Sequence, residues 1–524
     1  MSTPAESAPR RASLVLSTLI LAALVCNVNL SVANIALSDI GRAFGAGQTS
    51  LNLVALGCSL GLAMSVLYLG AVGDRYGRKL LLILGLVLTL PFSFLAAYAP
   101  NVEVLIAARI LTGIAAGMAY PTTLALITAL WSPGKARVRA IALWSGVSGG
   151  AAILGPVIAG ALLEDVWWGS VFLIAVIPAL VALPLVIWCV PSHANETTEP
   201  VDHLGGILSV LMIALLVLGL GLITSPDLRL LSGILMVLAV VLIVAFFIRQ
   251  RRAKVPLYDL HYAGRRLFWV AAVAGMIVFG AMMGAMFIGQ QFLQNVLNYS
   301  TLDAGLGVLP AAVGMILAAP LSARLVNALG SRATMLIGFG CILPGFVIML
   351  IGWTMQTPYL LVGVPYLLVG LGAGIALTPA SRSLTSSVPV DHVGMASGTS
   401  DLQRDLGGAV MQAILGSLLT AGYATRMLSQ INASPEASSM TASTESALSL
   451  SFANAADVSS QYPQYASQII EAARQAFLDG ANLAYSAAII AVILGGAVVL
   501  LRFPGRAAEQ ELLSQYERQD ARVS

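Results

Sequence analysis

An all-α integral membrane protein with fourteen spanning helices is what this sequence predicts, on three observations. Apolar residues make up 58% of the 524 residues and charged ones only 10%, with a mean hydropathy of +0.88, against about 45–50% and about 25% in soluble domains. The apolar excess is gathered into runs of roughly twenty residues, each long enough to cross a hydrocarbon layer of about 30 Å. The runs are apolar on every side and rich in Leu, Val, Ala and Gly, whereas a barrel would show short alternating strands.

Charged residues and Pro/Gly clusters punctuate the runs and set the elements in order. Residues 1–13 carry Arg10 and Arg11 without a short apolar core and cleavage site, so the first span, 14–37, is expected to be retained. The second, 49–72, ends at a charged, glycine-containing turn that opens the third, 80–98. Pro100 and Asn101 precede the fourth, 104–130, and Pro133 and Gly134 precede the fifth, 138–161; the sixth is 169–190. Spans seven and eight, 204–224 and 229–248, form a pair that looks inserted, followed by the strongly basic segment RQRRAKVPLYDLHYAGRR (249–266), expected to lie along the headgroups. The remaining spans are 267–290, 305–328, 333–353, 359–380, 395–421 and 480–502. Between the last two, 422–479 is expected to be an external loop, either loosely structured or a helical hairpin capping the outer mouth.

An even number of spans puts both termini on one side. With that side cytoplasmic, the inside segments hold twenty-one of the 27 Lys and Arg residues and the outside ones only Arg42, Arg229, Arg426 and Arg474, which orients the chain by the positive-inside rule. The net charge of +3 therefore reflects topology and gives no reason to expect nucleic acid. Cys26, Cys58, Cys189 and Cys341 all fall in apolar runs without metal-ligand spacing, so neither a disulfide framework nor a metal site is implied. No phosphate-cradling loop or Ser/His pair appears, and His193, His203, His261 and His392 all avoid the span centres, so an enzyme or a nucleotide-driven pump is not expected.

Three motifs carry chemistry. In GAVGDRYGRKL (70–80), Gly73 and Gly77 permit a sharp turn, Asp74 can accept hydrogen bonds from a helix N-terminus, and Arg75, Arg78 and Lys79 supply partners, together a latch between helix bundles. RILTGIAAG (109–117) carries Arg109 into the membrane. GGAAILGPVIAG (149–160) places Gly150, Gly155, Pro156 and Gly160 on one helix, where Gly155 and Pro156 are expected to bend it. The first motif resembles the signature of the major facilitator superfamily, G-x-x-x-D-R-x-G-R-K; the second is similar to its R-x-x-x-G pattern, and the third to its antiporter motif, with Ala159 replacing one glycine. Fourteen spans and the antiporter motif point to the fourteen-helix drug:proton antiporter branch. The resemblance implies two six-helix bundles, 1–198 and 267–524, separated by the inserted pair and basic linker, 199–266. It also implies alternating access and export of lipophilic or amphipathic small molecules in exchange for protons by a monomer in the bacterial plasma membrane, with no cofactor.

The branch carries a first-helix pattern, L-D-x-T-I-V-N-V-A-L-P, to which VNLSVANIALS (28–38) is similar, with Asn29 where the family has aspartate. Asparagine cannot exchange a proton near neutral pH. Asn27, Asn29 and Asn34 are then either interhelical hydrogen-bonders or part of the cargo pathway, and Asn29 is a candidate partner for Arg109. Proton exchange falls to Asp401 and Asp405 in MASGTSDLQRDLGGAV (395–410), four residues apart on one helix face, with Arg404 between them. The stretch resembles the family's thirteenth helix, where some multidrug members have an acid at the position of Asp401. Desolvation favours the protonated carboxyl and an arginine the charged one, so Arg404 and Arg109 are expected to tune the pair; a static ion cluster is the alternative. Tyr120, Met282, Met283, Met286, Gln290 and Gln291 are further pathway candidates. Without a first-helix carboxylate, an uncoupled facilitator or a carrier of lipid or envelope intermediates stays open.

Overall fold

The computed structural model describes residues 11–523 apart from 45, 47, 193–199, 223–227 and 435–439. Arg10 and His193 lie outside the described residues, as do a few side chains within helices, those of Asn34, Arg42 and Pro156 among them. In the first half, α1 (Ala12–Ser31) and α2 (Ala33–Phe44) form one span, α3 (Gln48–Tyr76), α4 (Arg78–Ala97), α5 (Val102–Leu130) and α6 (Lys135–Leu163) the next four, and α7 (Ser170–Leu173) with α8 (Val176–Cys189) the sixth. The pair α9 (His203–Leu222) and α10 (Arg229–Arg252) follows, then the short α11 (Leu260–Ala263). The second half comprises α12 (Arg266–Gln291) with a π-helical turn over Phe292–Val296, α13 (Thr301–Leu329), α14 (Ser331–Gly352), α15 (Tyr359–Ser386), α16 (Val393–Ala433), α17 (Ala442–Leu450), α18 (Phe452–Gln461), α19 (Ala466–Arg502) and α20 (Arg506–Val523). Thirteen helices among the described residues are long and apolar enough to span a membrane. The 29-residue α6, part of which lies outside the described side chains, stands where the remaining span is expected.

The main cores fall on either side of the inserted pair: one gathers apolar residues of α12–α19 with Ala125 of α5, and two smaller ones gather those of α1–α8. The inserted pair packs on α3 through α9, with α10 on the far side of α9. Asp202 fastens its base by accepting from the Gly205 N–H and Arg249 Nη2, both at 3.0 Å.

Three features differ from the sequence expectation, and a fourth, 422–479, takes the helical one of its two expected forms. The first span is longer than 14–37 and is interrupted at Val32. Asn27 Nδ2 and Asn29 Nδ2 donate to the carbonyls of Ala23 and Val25, at 3.0 and 3.2 Å, a local competition for backbone acceptors that loosens a helix. The sixth span is likewise divided into α7 and α8. The basic segment does not simply lie along headgroups: Leu257, Gln250 and Arg265 are buried, and the Asp259 N–H reaches Met395 Sδ at 3.2 Å, so it is folded against the second half. The 422–479 region is not a loose loop in its described residues. With 41 and 37 residues, α16 and α19 are about 60 and 55 Å long, twice the hydrocarbon thickness, and α17 and α18 join their projecting ends.

The ends of α3, α8, α13, α15 and α19 and the starts of α4, α14 and α16 gather on one face, with Ala12 at the base of the same core as Trp131 and Val190; this is called here the terminal face. Two turns there need a left-handed backbone, supplied by Gly77 (φ 113°) and Gly330 (φ 87°) at the starts of α4 and α14. The second turn lacks the first one's acid: counting from the glycine, Asn327 stands where Asp74 does. Glu509 of α20, 3% exposed, comes in instead, accepting from the Ser331 N–H (3.0 Å), Ser331 Oγ (2.5 Å) and Arg382 Nη1 (3.1 Å). Further along α20, Asp520 pairs with Arg265, whose guanidinium lies between the rings of Tyr262 and Tyr516.

Candidate functional site

The site is built where α5 and α6 of the first half meet α16 of the second. Tyr120 lies 5.5 Å from Trp144, ring to ring and nearly parallel, and Trp144 Nε1 donates to Thr123 Oγ1 at 2.8 Å, which fixes the indole. Arg404 crosses from α16 to these rings. Its Nη1 donates to the Tyr120 hydroxyl, and its guanidinium carbon lies 5.0 Å from the Trp144 ring centroid and 5.7 Å from that of Tyr120, within cation–π range. The Tyr120 hydroxyl is also hydrogen-bonded to Asn27. A chain of contacts thus runs from α1 through α5 to α16.

Asp401, 1% exposed, has no hydrogen-bond partner for either carboxylate oxygen among the described residues, and Asp405 Oδ2 is also without one. No ion pair among the described residues joins Arg404 to either, so the arrangement is not a static ion cluster. The reason is directional: Arg404 points across the bundle boundary, whereas Asp401 remains only within electrostatic reach of it and of Cys26. Gln403, on the same turn, packs against Gly275 of α12 and also lacks partners for both amide atoms.

Arg109 sits apart from this cluster, 1% exposed. Its Nη1 donates at 2.8 Å to the main-chain carbonyl of Asn29, not to that residue's amide, and Nε reaches Val54 O at 3.4 Å. Asn29 lies in the turn before the interruption at Val32, so Arg109 is bonded to the backbone beside it. The guanidinium also lies over Phe172 at 5.3 Å. Gly113, four residues on, serves close approach: a Cβ there would stand 2.1 Å from Cys58 O, and one at Gly61 would stand 2.1 Å from Ile110 O.

The turn motif divides its labour. Asp74 accepts from Arg78 Nε and Nη2 at 2.9 and 2.8 Å and from the Gly394 N–H at 2.9 Å, while Arg78 Nη2 also donates to Val390 O at 2.8 Å. These bonds tie the first half to the start of α16. Beside them a Cβ on Gly70 would stand 2.9 Å from Gly394 O, so α3 and α16 touch backbone to backbone. Gly73 lies against Leu81. Lys79 does not cross between halves; it caps α8 by donating to Ile187 O at 2.8 Å. Arg75 is half-buried beside Tyr76.

Of the antiporter motif, Gly150 meets α13, where a Cβ would stand 2.8 Å from Ile316. Gly155 is buried, and α6 runs unbroken past it. The expectation for Pro156 lies outside the described residues, and Gly160 has only ordinary contact, 3.9 Å to Leu302. A closer approach is at Gly146, which the sequence motif does not include: a Cβ there would stand 2.6 Å from Ala319 Cβ. The other pathway candidates scatter. Met282 is wholly inside the second-half core, Met283 and Met286 pack against that core, and Met283 also faces Gly408. Gln290 is half-buried, and Gln291 Nε2 bonds back to Phe287 O. Asn34's side chain lies outside the described residues.

Comparison with known proteins matches this architecture. The profile of the Major Facilitator Superfamily matches residues 19–411. The chain is 30% identical over 496 residues to the multidrug efflux pump LfrA of Mycolicibacterium smegmatis, covering 94% of this chain and 97% of that one. It is 29% identical over 463 residues to the methyl viologen resistance protein SmvA of Salmonella typhimurium, covering 88% and 92%. Among solved structures, the human organic anion transporter MFSD10 superposes with a TM-score of 0.58 at 16% identity, over 94% of this chain and all of that one. With the family profile spanning most of its length and a full-length relative at this identity, the chain is a membrane transporter belonging to the Major Facilitator Superfamily.

Proposed function

We propose that the protein exports lipophilic or amphipathic small molecules, cations among them, from the cytoplasm in exchange for protons, with the terminal face cytoplasmic. The efflux and resistance functions named for its relatives and the excess of Lys and Arg on that face support the direction. The observation that carries the coupling is Asp401. A carboxylate buried at membrane depth with no hydrogen-bond donor is least costly when it holds a proton.

The neighbouring arginine then turns protonation into movement. In this arrangement Arg404 is held by Tyr120 and Trp144 across the bundle boundary. Protons taken up from the far face cross with the pair when the halves rock, and they are released to the cytoplasm once the terminal face opens. There the charged Asp401, three residues away on the same helix, competes for that guanidinium, so the cross-bundle bond does not re-form until cargo has entered. Cargo then leaves on the far face as protons arrive there and return Arg404 to Tyr120. Asp405 shares the charge, and the Asp74–Arg78–Gly394 connection holds the terminal face shut in the arrangement described.

Proteoliposomes under an imposed pH gradient test this. Asp401→Asn and Asp405→Asn are expected to lose gradient-driven accumulation of a lipophilic cation while keeping exchange down its own gradient. If both variants still concentrate cargo, the assignment is wrong. The second reading, uncoupled facilitation, is favoured by Asn29 at the family's aspartate position. It predicts wild-type transport indifferent to collapse of the gradient.

A further inference from the structure

Above the membrane, the stems of α16 and α19 first pinch and then part. A Cβ on Gly480 would stand 2.3 Å from Leu419 O, and one on Gly422 would stand 2.7 Å from Gly480 Cα, so the two backbones touch there and nothing larger than glycine fits. Beyond this point Met427, Gln430 and Ile431 of α16 face Gln468, Ile469 and Ala472 of α19 across a cavity of about 350 Å³. Thr444 and Leu448 of α17, Val458 of α18 and the rings of Tyr462 and Tyr465 close it above. The roof is anchored, since the Tyr423 hydroxyl donates to Leu448 O at 3.1 Å. The stem is braced outside the cavity by Arg426 with Asp479 at 3.1 Å and by Arg474 donating to Asn298 Oδ1 at 2.9 Å.

We propose that this cavity is a second ligand site, taking an uncharged amphipathic molecule with an aromatic or aliphatic body and one or two hydrogen-bonding groups. Its volume lies in the range of small-molecule pockets, about 300–1,000 Å³. Its wall contains methionine, isoleucine, leucine, valine and tyrosine together with amides and hydroxyls, and among the described residues no Asp, Glu, Lys or Arg. A charged ligand entering it is stripped of water without a counter-charge, whereas a neutral one loses little. Met427 and Met440 adapt to differing shapes. Ser434, Thr441, Thr444 and Gln468 line it as well, so the wall carries hydrogen-bonding groups. The site is distinct from the carboxylate pair: Met427 lies 26 residues beyond Asp401 on one continuous helix, about 39 Å along its axis. It therefore stands or falls independently of proton coupling.

The test uses the full-length protein in nanodiscs and N-phenyl-1-naphthylamine, a neutral probe whose fluorescence rises in apolar surroundings. A saturable component is expected in wild type, weakened at least tenfold by Ile469→Glu, which places a charge in the wall, and by Ala472→Trp, which fills the space while staying apolar. Thermal unfolding and tetraphenylphosphonium efflux of both variants should match wild type, showing that the hairpin is still folded. Two competition arms identify the source of the natural occupant. Displacement by a neutral exported compound marks a release-side cargo site, and displacement by a short-chain phosphatidylcholine marks a lipid site. Absence of a saturable component in wild type, or one untouched by both substitutions, overturns the proposal.

Discussion

Replacing Tyr120 with phenylalanine removes one oxygen and leaves the ring where it is, stacked on Trp144 and beneath Arg404. That oxygen is the hydrogen-bond acceptor found for the Arg404 guanidinium, whose Nε and Nη2 are already buried without partners. A hydrogen bond to a charged group contributes about 1.5–3 kcal/mol. The cation–π contact with Trp144 survives, and the bond to Asn27 that is also lost lies within the first half, so the part of the loss that crosses the bundle boundary is this term. Because the donor belongs to α16 and the acceptor to α5, the bond exists only while the two halves are in the arrangement described. Removing it therefore shifts the conformational equilibrium by about 10- to 150-fold away from that arrangement. Spin labels on Tyr98→Cys and Tyr359→Cys, exposed residues of the two halves, report the distance between them once the four native cysteines are replaced by serine or alanine. The distance distribution of Tyr120→Phe is expected to move toward the minor wild-type population, and proton-driven efflux to fall with it. An unchanged distribution, with transport within twofold of wild type, would refute the coupling of Arg404 to bundle movement.

Other perturbations follow from the same geometry. Asp74→Ala leaves buried Arg78 without its carboxylate, which costs about 3–5 kcal/mol; the unfolding temperature should drop, and a cysteine introduced at Val390 should gain reactivity toward thiol reagents from the terminal face. Gly113→Ala drives a methyl group into Cys58 O, and overpacking of about 1–3 kcal/mol or more should appear as poor yield of folded protein, with Gly233→Ala, which meets nothing within 4 Å, as the harmless control. Glu509→Ala strips the Ser331 N–H of its acceptor, a loss of about 1–3 kcal/mol; limited proteolysis should then release α20, while Glu509→Gln should retain most of the protection.

The spans were legible because apolar length is a direct requirement of the bilayer and punctuation marks its ends. Asp74 and Arg78 were legible because the turn demands a glycine, an acid and a base at short spacing. What failed to show is equally physical. The interruption at Val32 carries no proline or glycine, and a hydropathy window does not register it. The projecting parts of α16 and α19 are polar helix beyond the bilayer, so their apolar signal stops at the membrane although the helices do not. Trp144 had no spacing to mark it and gains its role from what α16 brings to it. Arg404 was legible as a charge in a span but not its direction, because placing it beside two carboxylates in sequence suggests an ion pair that the helix geometry leaves unmade.

The unequal turns on the terminal face bear on how the protein can be handled. The first half finds its carboxylate four residues before the arginine that needs it; the second borrows one from 178 residues downstream. The chain's last helix is in effect a strut wedged under the second half. Trimming it, or hanging a bulky reporter from it, amounts to pulling on Ser331 and Arg382.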